Sequence, residues 1–202
     1  MILDAKGDLY GTAGGGDLSC GGGYGCGVVF RLTAEGKETV LYTFTGADGV
    51  GPTGVIRDAN GNLYGTTVGG GAAGFGVVFK LAPDRKETVL YSFMGPPDGA
   101  NPNGGLIRDS SGNLYGTTSS GGDSDCGGGY GCGTIFKIGA TGGKERVLYT
   151  FSAFSNGEIP GGLIMDADGN LYGTTGYGGD QNAPCFINTL ITGCGVVFKF
   201  KP

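Results

Sequence analysis

The sequence predicts an all-β protein, a β-propeller built from four units of roughly 50 residues. Three observations support this fold class. The tetrad Leu-Tyr-Gly-Thr occurs four times, and the starts of successive copies lie 54, 51 and 57 residues apart. The apolar segments are short, rich in β-branched and aromatic residues, and bounded by Gly, Pro, Asn or Asp, as strands are. No segment carries a helical apolar period over the length that a helix needs.

Each unit repeats the same predicted strands, a to d, in the same order. Strand a is an apolar pair before an Asp, strand b contains the tetrad, and strand c follows a Gly-rich loop at 27–32, 76–81, 133–138 and 195–200. Strand d occurs three times, at 38–44, 87–93 and 145–151. We therefore predict four-stranded antiparallel blades, the last one without its outer strand, in a single domain, 1–202. The units span approximately 1–45, 46–95, 96–153 and 154–202.

The turn and core residues agree with this reading. Asp-x-x-Gly-Asn, as in 58–62, predicts a tight hairpin between strands a and b, because Gly adopts positive φ and Asp caps the turn. The strands are apolar on both faces, as a sheet covered on both sides requires. The tetrad tyrosines are expected in the core between blades, with each hydroxyl bonded to the backbone. They are Tyr10, Tyr64, Tyr115 and Tyr172.

Composition excludes several classes of function. The chain has 48 glycines, no histidine and no tryptophan, so Ser-His-Asp and Cys-His catalysis and His-ligated metals are excluded. Its net charge is −5, which argues against nucleic-acid and anionic-membrane partners. No apolar run approaches the length of about 18 residues that a membrane span needs. Met1 leads directly into a predicted strand, so no signal peptide is expected within the sequence.

The repeated motifs resemble a known family. Three successive motifs are together similar to the GloVer tandem repeat of bacterial exported and surface proteins. They are Asp-x-x-Gly-Asn-Leu-Tyr-Gly-Thr-Thr, then Gly-Val-Val-Phe-Lys-Leu, then Glu-Thr-Val-Leu-Tyr-Ser-Phe, and residues 98–102 match the same family. The resemblance covers nearly the whole chain. It implies a propeller-like array outside the cytoplasm and implies no particular chemistry. Strand a followed by Asp-x-x-Gly-Asn-Leu-Tyr is also similar to NHL-type propeller blades.

The closure of the ring is left open by the sequence. Four blades can close by packing face to face, or the chain can form half of an eight-bladed ring that a second copy completes, making a homodimer. A truncated longer array is the third alternative. We keep all three as expectations.

The six cysteines fall into three local pairs, each in one loop between strands b and c. The pairs are Cys20 with Cys26, Cys126 with Cys132, and Cys185 with Cys194. Cysteines that occur together within one loop are most simply disulfide partners, which predicts an oxidising location, secreted or at the cell surface. Zinc and redox sites favour a Cys-x-x-Cys spacing that this sequence lacks.

Alternating strand direction places the b–c loops and the d–a connections on one face, called here the loop face. This face is predicted to carry acidic residues and no Lys or Arg. We predict that it binds a ligand because function concentrates on long loops held by a rigid scaffold. The alternative is a solvated acidic rim. The predicted ligand-binding residues are Tyr24, Tyr130, Phe75, Tyr177, Asp17, Asp123 and Asp125.

A catalytic site and a calcium site are alternatives to this binding role. Asp48, Asp98 and Glu158 are weak candidates for a glycosidase carboxylate pair, although Asp-Gly is also a common turn. Residues 166–170 resemble the first half of a calcium loop, but Tyr177 stands where the bidentate Glu belongs, which favours a hairpin. No metal or cofactor is therefore assigned, and calcium on the acidic face is only weakly supported.

The leading hypothesis is a non-catalytic extracellular binding module for a glycan or a cell-surface polymer. The first alternative is a structural or assembly propeller that pairs with another copy of itself. The second is a carbohydrate-active hydrolase or lyase that uses Asp and Glu carboxylates and needs no histidine.

Overall fold

The computed structural model describes residues 1–20, 23–139, 141–143, 145–152, 156–179 and 193–202. The chain forms two compact units, Met1–Phe93 and Met94–Pro202, which are described separately below. The described part of the chain contains no helix with the length and apolar character that a membrane crossing requires.

The first unit contains two antiparallel four-stranded sheets, each with its strands in sequence order. Blade 1 consists of β1 (Ile2–Leu3), β2 (Leu9–Ala13), β3 (Val28–Leu32) and β4 (Glu38–Thr43). Blade 2 consists of β5 (Val50–Arg57), β6 (Leu63–Gly69), β7 (Val77–Leu81) and β8 (Glu87–Ser92). The predicted strands a to d occur in the predicted order, since hairpins between short apolar segments produce a meander. Strand a of blade 2 is longer than predicted, because β5 begins at Val50 within the predicted d–a connection.

The second unit contains one four-stranded and one three-stranded sheet among its described residues. Blade 3 consists of β9 (Gly99–Arg108), β10 (Leu114–Gly121), β11 (Thr134–Ile138) and β12 (Arg146–Thr150), with a 3₁₀ turn at Gly127–Gly129. Blade 4 consists of β13 (Glu158–Met165), β14 (Leu171–Tyr177) and β15 (Val197–Phe200). The predicted all-β class, with a last blade of three strands, is confirmed in the described residues.

The tetrad glycine makes room for an aromatic ring on the neighbouring strand. Gly65 lies opposite Phe79, and Gly116 lies opposite Phe136. A Cβ atom at Gly65 would lie only 2.6 Å from the Phe79 ring and 2.4 Å from the carbonyl oxygen of Gly54. The Phe ring therefore packs directly over the backbone of strand b.

The Asp of each a–b turn binds several donors at once. Asp58 accepts hydrogen bonds from the backbone N–H groups of Asn60 and Asn62 at 3.0 and 2.9 Å, and from the Asn62 side chain at 2.8 Å. The Tyr64 hydroxyl donates to the same carboxylate at 3.1 Å. The hairpin interpretation of this motif is therefore correct, but the tyrosine hydroxyl binds the Asp side chain and not the backbone.

The a–b turn at 166–170 follows the same plan. Asp166 accepts backbone bonds from Asp168 and Asn170, and side-chain bonds from Asn170 and Tyr172. The Asn170 side chain is the main cause that lowers the pKa of Asp166 to about 2. Both carboxylate oxygens thus already have protein donors.

Aromatic side chains form the core inside each unit. In the first unit, the rings of Phe44 and Phe79 meet edge to face with centroids 5.0 Å apart, and both side chains are fully buried. In the second unit, Phe151 meets Phe198 in the same way at 5.3 Å. Tyr10, Tyr64 and Tyr115 are buried as predicted, and Tyr172 is half-buried. Blade 1 therefore packs on blade 2, and blade 3 packs on blade 4, through equivalent residues.

Candidate functional site

Two of the predicted disulfide rings are present. Cys20 bonds Cys26 and Cys126 bonds Cys132, with Cα atoms 5.1 and 5.5 Å apart. Both lie in the loop between the second and third strands of their blades, at the start of β3 and of β11. The third predicted pair includes Cys185, which lies outside the described residues.

The two rings present one tyrosine each to the solvent. The Tyr24 side chain is 86% exposed and the Tyr130 side chain is 73% exposed. Their carbonyl oxygens accept hydrogen bonds from the N–H groups of Gly15 and Gly121 at 3.2 and 2.7 Å. The backbone of each tyrosine is therefore fixed while the aromatic ring projects outward.

An acidic residue lies just before the first cysteine of each disulfide ring. The Asp17 carboxylate accepts the Ser19 N–H at 2.9 Å, and Asp123 accepts the Asp125 N–H at 3.0 Å. These bonds turn the chain toward the first cysteine of each pair. The hydrogen bonds from Ser19 also lower the pKa of Asp17, so this loop carries a negative charge at neutral pH.

The other two predicted aromatic residues lie in different surroundings. Phe75 is half-buried and forms an isolated β-bridge with Gly70, in the loop without cysteines. Tyr177 is the last residue of β14, where it pairs with Glu158 of β13. Of the four predicted aromatic residues, Tyr24 and Tyr130 therefore share an exposed position on a disulfide ring, and Phe75 and Tyr177 do not.

The catalytic candidates Asp48 and Asp98 bind their own turns. Asp48 accepts hydrogen bonds from the Tyr42 hydroxyl at 2.5 Å and from the N–H and hydroxyl of Thr45 at 2.8 and 3.0 Å. Asp98 accepts the N–H groups of Met94 and Gly99 at 2.8 and 2.7 Å. Partial burial opposes ionisation of Asp48, but the bonds from Tyr42 and Thr45 outweigh it and lower its pKa.

Two glutamates that sequence reasoning missed lie near these aspartates. Burial, and then the charge of Asp48, raise the pKa of Glu87 to about 7. Burial, and then the charge and a hydrogen bond of Asp98, raise the pKa of Glu145 to about 8. In each glutamate the Oε1 atom is buried without a hydrogen-bond partner. The only sequence signal was the shared first position of strand d, which Glu38 also occupies while remaining exposed.

Glu158 lies beside the second disulfide. A carboxylate oxygen of Glu158 and the sulfur atoms of Cys126 and Cys132 lie within 4.8 Å of one another. Because both sulfurs belong to a disulfide, neither offers the thiolate that a metal would bind. This cluster therefore gives no support for a metal site.

Meandering four-stranded blades that repeat along the chain define a β-propeller-type repeat protein. The chain belongs to the Gloeobacter/Verrucomicrobia repeat family, whose profile matches residues 1–202. The resemblance found in the repeated motifs is thereby confirmed. A search of the curated proteins finds no match.

Solved structures with similar folds are β-propeller proteins. A nidogen/laminin complex aligns at a TM-score of 0.55 and 20% identity, covering 84% of this chain and 52% of the other. Virginiamycin B lyase from Staphylococcus aureus aligns at 0.53 and 14%, covering 100% and 54%. A gluconolactonase from Xanthomonas campestris aligns at 0.51 and 16%, covering 99% and 70%. This chain thus spans about half the length of the first two, and at these identities the similarity shows the fold alone.

Proposed function

We propose that the protein is a non-catalytic extracellular binding module for a glycan or a cell-surface polymer, and that Tyr24 and Tyr130 make the contact. The observation that carries this proposal is their exposure, 86% and 73%, on rings whose backbone is fixed by a disulfide and a hydrogen bond. The two disulfides support the extracellular location because they persist in oxidising compartments.

A fixed tyrosine is well suited to binding a sugar ring. Its aromatic face offers a large apolar contact area and its hydroxyl offers a hydrogen bond. Since the disulfide and the hydrogen bond already hold the backbone of each tyrosine before the ligand arrives, less backbone entropy is lost on binding. Asp17 and Asp123 in the same loops keep the local charge negative, so we propose a neutral or cationic polymer over an anionic one.

The carboxylates favour binding over catalysis. Asp48 and Asp98 are occupied by donors from their own turns. Glu87 and Glu145 have the raised pKa of a general acid, but their Oε1 atoms are buried. A general acid must reach the bond that it protonates within hydrogen-bonding distance. The lyase and gluconolactonase activities of the structural neighbours are therefore not proposed for this chain.

The test is a glycan panel incubated with the oxidised protein, with retained protein and released products read by mass spectrometry. Tyr24→Ala and Tyr130→Ala are each expected to weaken retention by about 5- to 30-fold, the loss of about 1–2 kcal/mol typical of an aromatic contact residue. Retention that depends on added calcium would place a cation at the loop face.

The matched control is Leu18→Ala, because Leu18 is an apolar side chain of the same loop and is 65% exposed. It is expected to leave retention unchanged. Released products, or equal retention by the tyrosine variants and the parent protein, would contradict the proposal.

An assembly role is the second candidate, and one observation favours it. Ile164 is 70% exposed, although the equivalent Ile107 of blade 3 packs into the core of its unit. Apolar positions that are covered in one blade and open in another suit a second copy of the chain.

A further inference from the structure

A cleft between blades 1 and 2 is lined by three arginines. Arg31 lies in β3, Arg57 ends β5, and Arg85 lies in the turn between β7 and β8. The cleft has a volume of about 190 Å³, room for roughly six water molecules. No carboxylate is among the described residues that line it. It lies at the a–b and c–d hairpins, at the other ends of the strands from the loop face.

Two nearly buried carboxylates hold two of these arginines. Asp8 accepts hydrogen bonds from Nε of Arg31 at 2.9 Å and from its Nη2, and the Asp8 side chain is 7% exposed against 40% for Arg31. The Asp4 carboxylate lies 3.8 Å from Nη1 of Arg57, whose Cζ lies 5.2 Å from the centroid of the Tyr10 ring. These contacts restrict both side chains and leave further N–H groups of each guanidinium for another acceptor.

Arg85 holds a backbone position that glycine holds in the equivalent turns. Its φ is +69°, in the left-handed region, and its N–H donates to the Ala82 carbonyl at 2.9 Å. In the c–d turns of blades 1 and 3, Gly36 and Gly142 have φ of +85° and +81° and donate the equivalent bond. A residue with a Cβ atom is strained in this conformation. An arginine at such a position, lining a cleft, therefore points to a role for its guanidinium group.

The rest of the lining is largely apolar. Leu63 and Leu81 are each 2% exposed, Leu41 is half-buried, and Pro83 is exposed. Guanidinium groups bind pairs of carboxylate or phosphate oxygens. Apolar walls instead cover the carbon atoms of a ligand. The cleft therefore suits an organic anion with a small apolar body better than an inorganic ion.

The second unit shows that the blades do not require these arginines. Lys137 holds the register position of Arg31, and Met165 holds that of Arg57. Two aspartates also line the cleft beside them. The arginine cleft is thus a feature of the first unit and not of the repeat scaffold.

We propose that the three arginines of this cleft form a binding site for a small organic anion. The carboxylate or phosphate oxygens of the anion accept hydrogen bonds from the guanidinium groups, and its carbon body packs on Leu41 and Pro83. Asp4 and Asp8 compensate two of the three positive charges, so one positive charge remains for the ligand. This site is separate from the glycan contact proposed for the loop face, and neither depends on the other.

The test is isothermal titration calorimetry of the oxidised full chain with four probes. Benzoate and phenyl phosphate carry an anionic group on an apolar ring, benzamide is a neutral analogue of benzoate, and inorganic phosphate has no carbon body. Saturable binding is expected for benzoate, phenyl phosphate or both, and the tighter of the two identifies the preferred anionic group. Benzamide and inorganic phosphate are expected to bind at least about tenfold more weakly.

Variants of the cleft test the arginines directly. Arg85→Gly removes a guanidinium and gives the turn the residue that its φ favours, so we expect about tenfold weaker binding without a lower melting temperature. Arg57→Met gives this position the residue type of Met165, and a similar loss is expected. Should Arg57→Met fail to fold by circular dichroism, the Arg85→Gly result decides.

The matched control is Lys86→Ala. Lys86 is an exposed residue of the same turn and does not line the cleft, so its replacement removes an equal charge without removing a ligand contact. It is expected to change affinity by less than about twofold, because solvent screens an exposed charge.

Four results would overturn the proposal. One is the absence of saturable binding for both benzoate and phenyl phosphate. Another is equal binding of benzamide and benzoate, which would show that the charge is not recognised. The third is inorganic phosphate binding as tightly as phenyl phosphate, which would show that the carbon body makes no contact. The last is an equal effect of Arg85→Gly and Lys86→Ala, which would show a general charge effect.

Discussion

The glycine of each Leu-Tyr-Gly-Thr tetrad is a steric requirement of the blade. Gly116 lies opposite Phe136, and an added Cβ would lie 2.6 Å from the Phe136 ring and 3.0 Å from the Leu106 side chain. Neither neighbour can move freely, because Phe136 is fully buried. The glycine therefore lets the aromatic ring of strand c lie directly against the backbone of strand b.

Gly116→Ala is expected to destabilise the protein by about 1–3 kcal/mol, the usual cost of overpacking a core. Urea unfolding followed by circular dichroism measures this change. Gly14→Ala is the control, because nothing lies within 4 Å of a Cβ at Gly14 and its φ is not positive. Equal stability of the two variants would show that the blade relaxes around the added methyl group.

The partly buried glutamates make stability depend on pH. The pKa of Glu145 is raised from its ordinary value of 4.5 to about 8 in the folded protein, so the folded state holds a proton that the unfolded state loses. The contribution of Glu145 to stability is therefore greatest below about pH 4.5 and is lost as the pH rises through about 8.

Glu145→Gln and Glu87→Gln are each expected to raise the free energy of unfolding at pH 8.5 by about 1 kcal/mol, after allowance for partial solvent access, and to change little at pH 4. Chemical unfolding at both pH values measures this. Glu38→Gln is the matched control, since Glu38 holds the same motif position but is exposed. A pH-independent gain in the Glu145 variant would contradict the assigned pKa.

At the scale of the element, each disulfide ring presents the tyrosine that we propose contacts the ligand. The disulfide between Cys126 and Cys132 closes a ring that contains Tyr130, and both cysteines are buried. The loop of blade 2 carries no cysteine and presents no exposed aromatic side chain, since Phe75 is half-buried. The covalent bond and the outward tyrosine therefore occur together.

Replacing Cys126 and Cys132 by Ser in one variant is expected to lower stability by about 2–3 kcal/mol, from the loop entropy of a short ring. It is also expected to weaken glycan retention, because Tyr130 loses its fixed backbone. Thermal unfolding and the glycan panel measure the two effects. Full retention in a folded variant would show that the ring positions nothing that the ligand contacts.

The repeated pattern predicted most of the elements but only part of the site. The strands followed from motifs that recur with turn residues at their ends, and the ring cysteines followed from their joint absence in blade 2. Glu87 and Glu145 could not be found in this way, because Glu38 stands in the same motif. Only the packing around each strand partly buries Glu87 and Glu145 and leaves Glu38 exposed. Tyr177 was predicted on the loop face, whereas it ends β14 and pairs with Glu158 of β13.

At the scale of the whole molecule, uncovered blade faces determine whether the chain associates. Ile164 and Val197 are both strongly exposed, while Ile107 and Ile135, their equivalents in blade 3, pack into a core. Large exposed apolar side chains favour association with another apolar surface. The closure of the ring stays a prediction, and the homodimer is a prediction that a mass measurement tests.

If copies associate through this face, sedimentation of the oxidised protein is expected to give a mass of two chains, twice 20.2 kDa, and Ile164→Glu is expected to return it to one. Met94→Glu is the control, because Met94 is 58% exposed elsewhere in the same unit. A parent protein that sediments as one chain at micromolar concentration would remove the assembly role.

The contact between the tetrad glycine and its facing phenylalanine also constrains how this repeat can diverge. A side chain larger than hydrogen at the glycine position collides with the ring, so the two positions tolerate change only together. If a blade acquires a bulkier residue at the glycine position of strand b, the phenylalanine opposite it in strand c must also change to a smaller residue. All four units retain both partners, as Gly11 with Phe30, Gly65 with Phe79, Gly116 with Phe136 and Gly173 with Phe198. We therefore expect the two positions to covary among related blades, since one steric contact joins them.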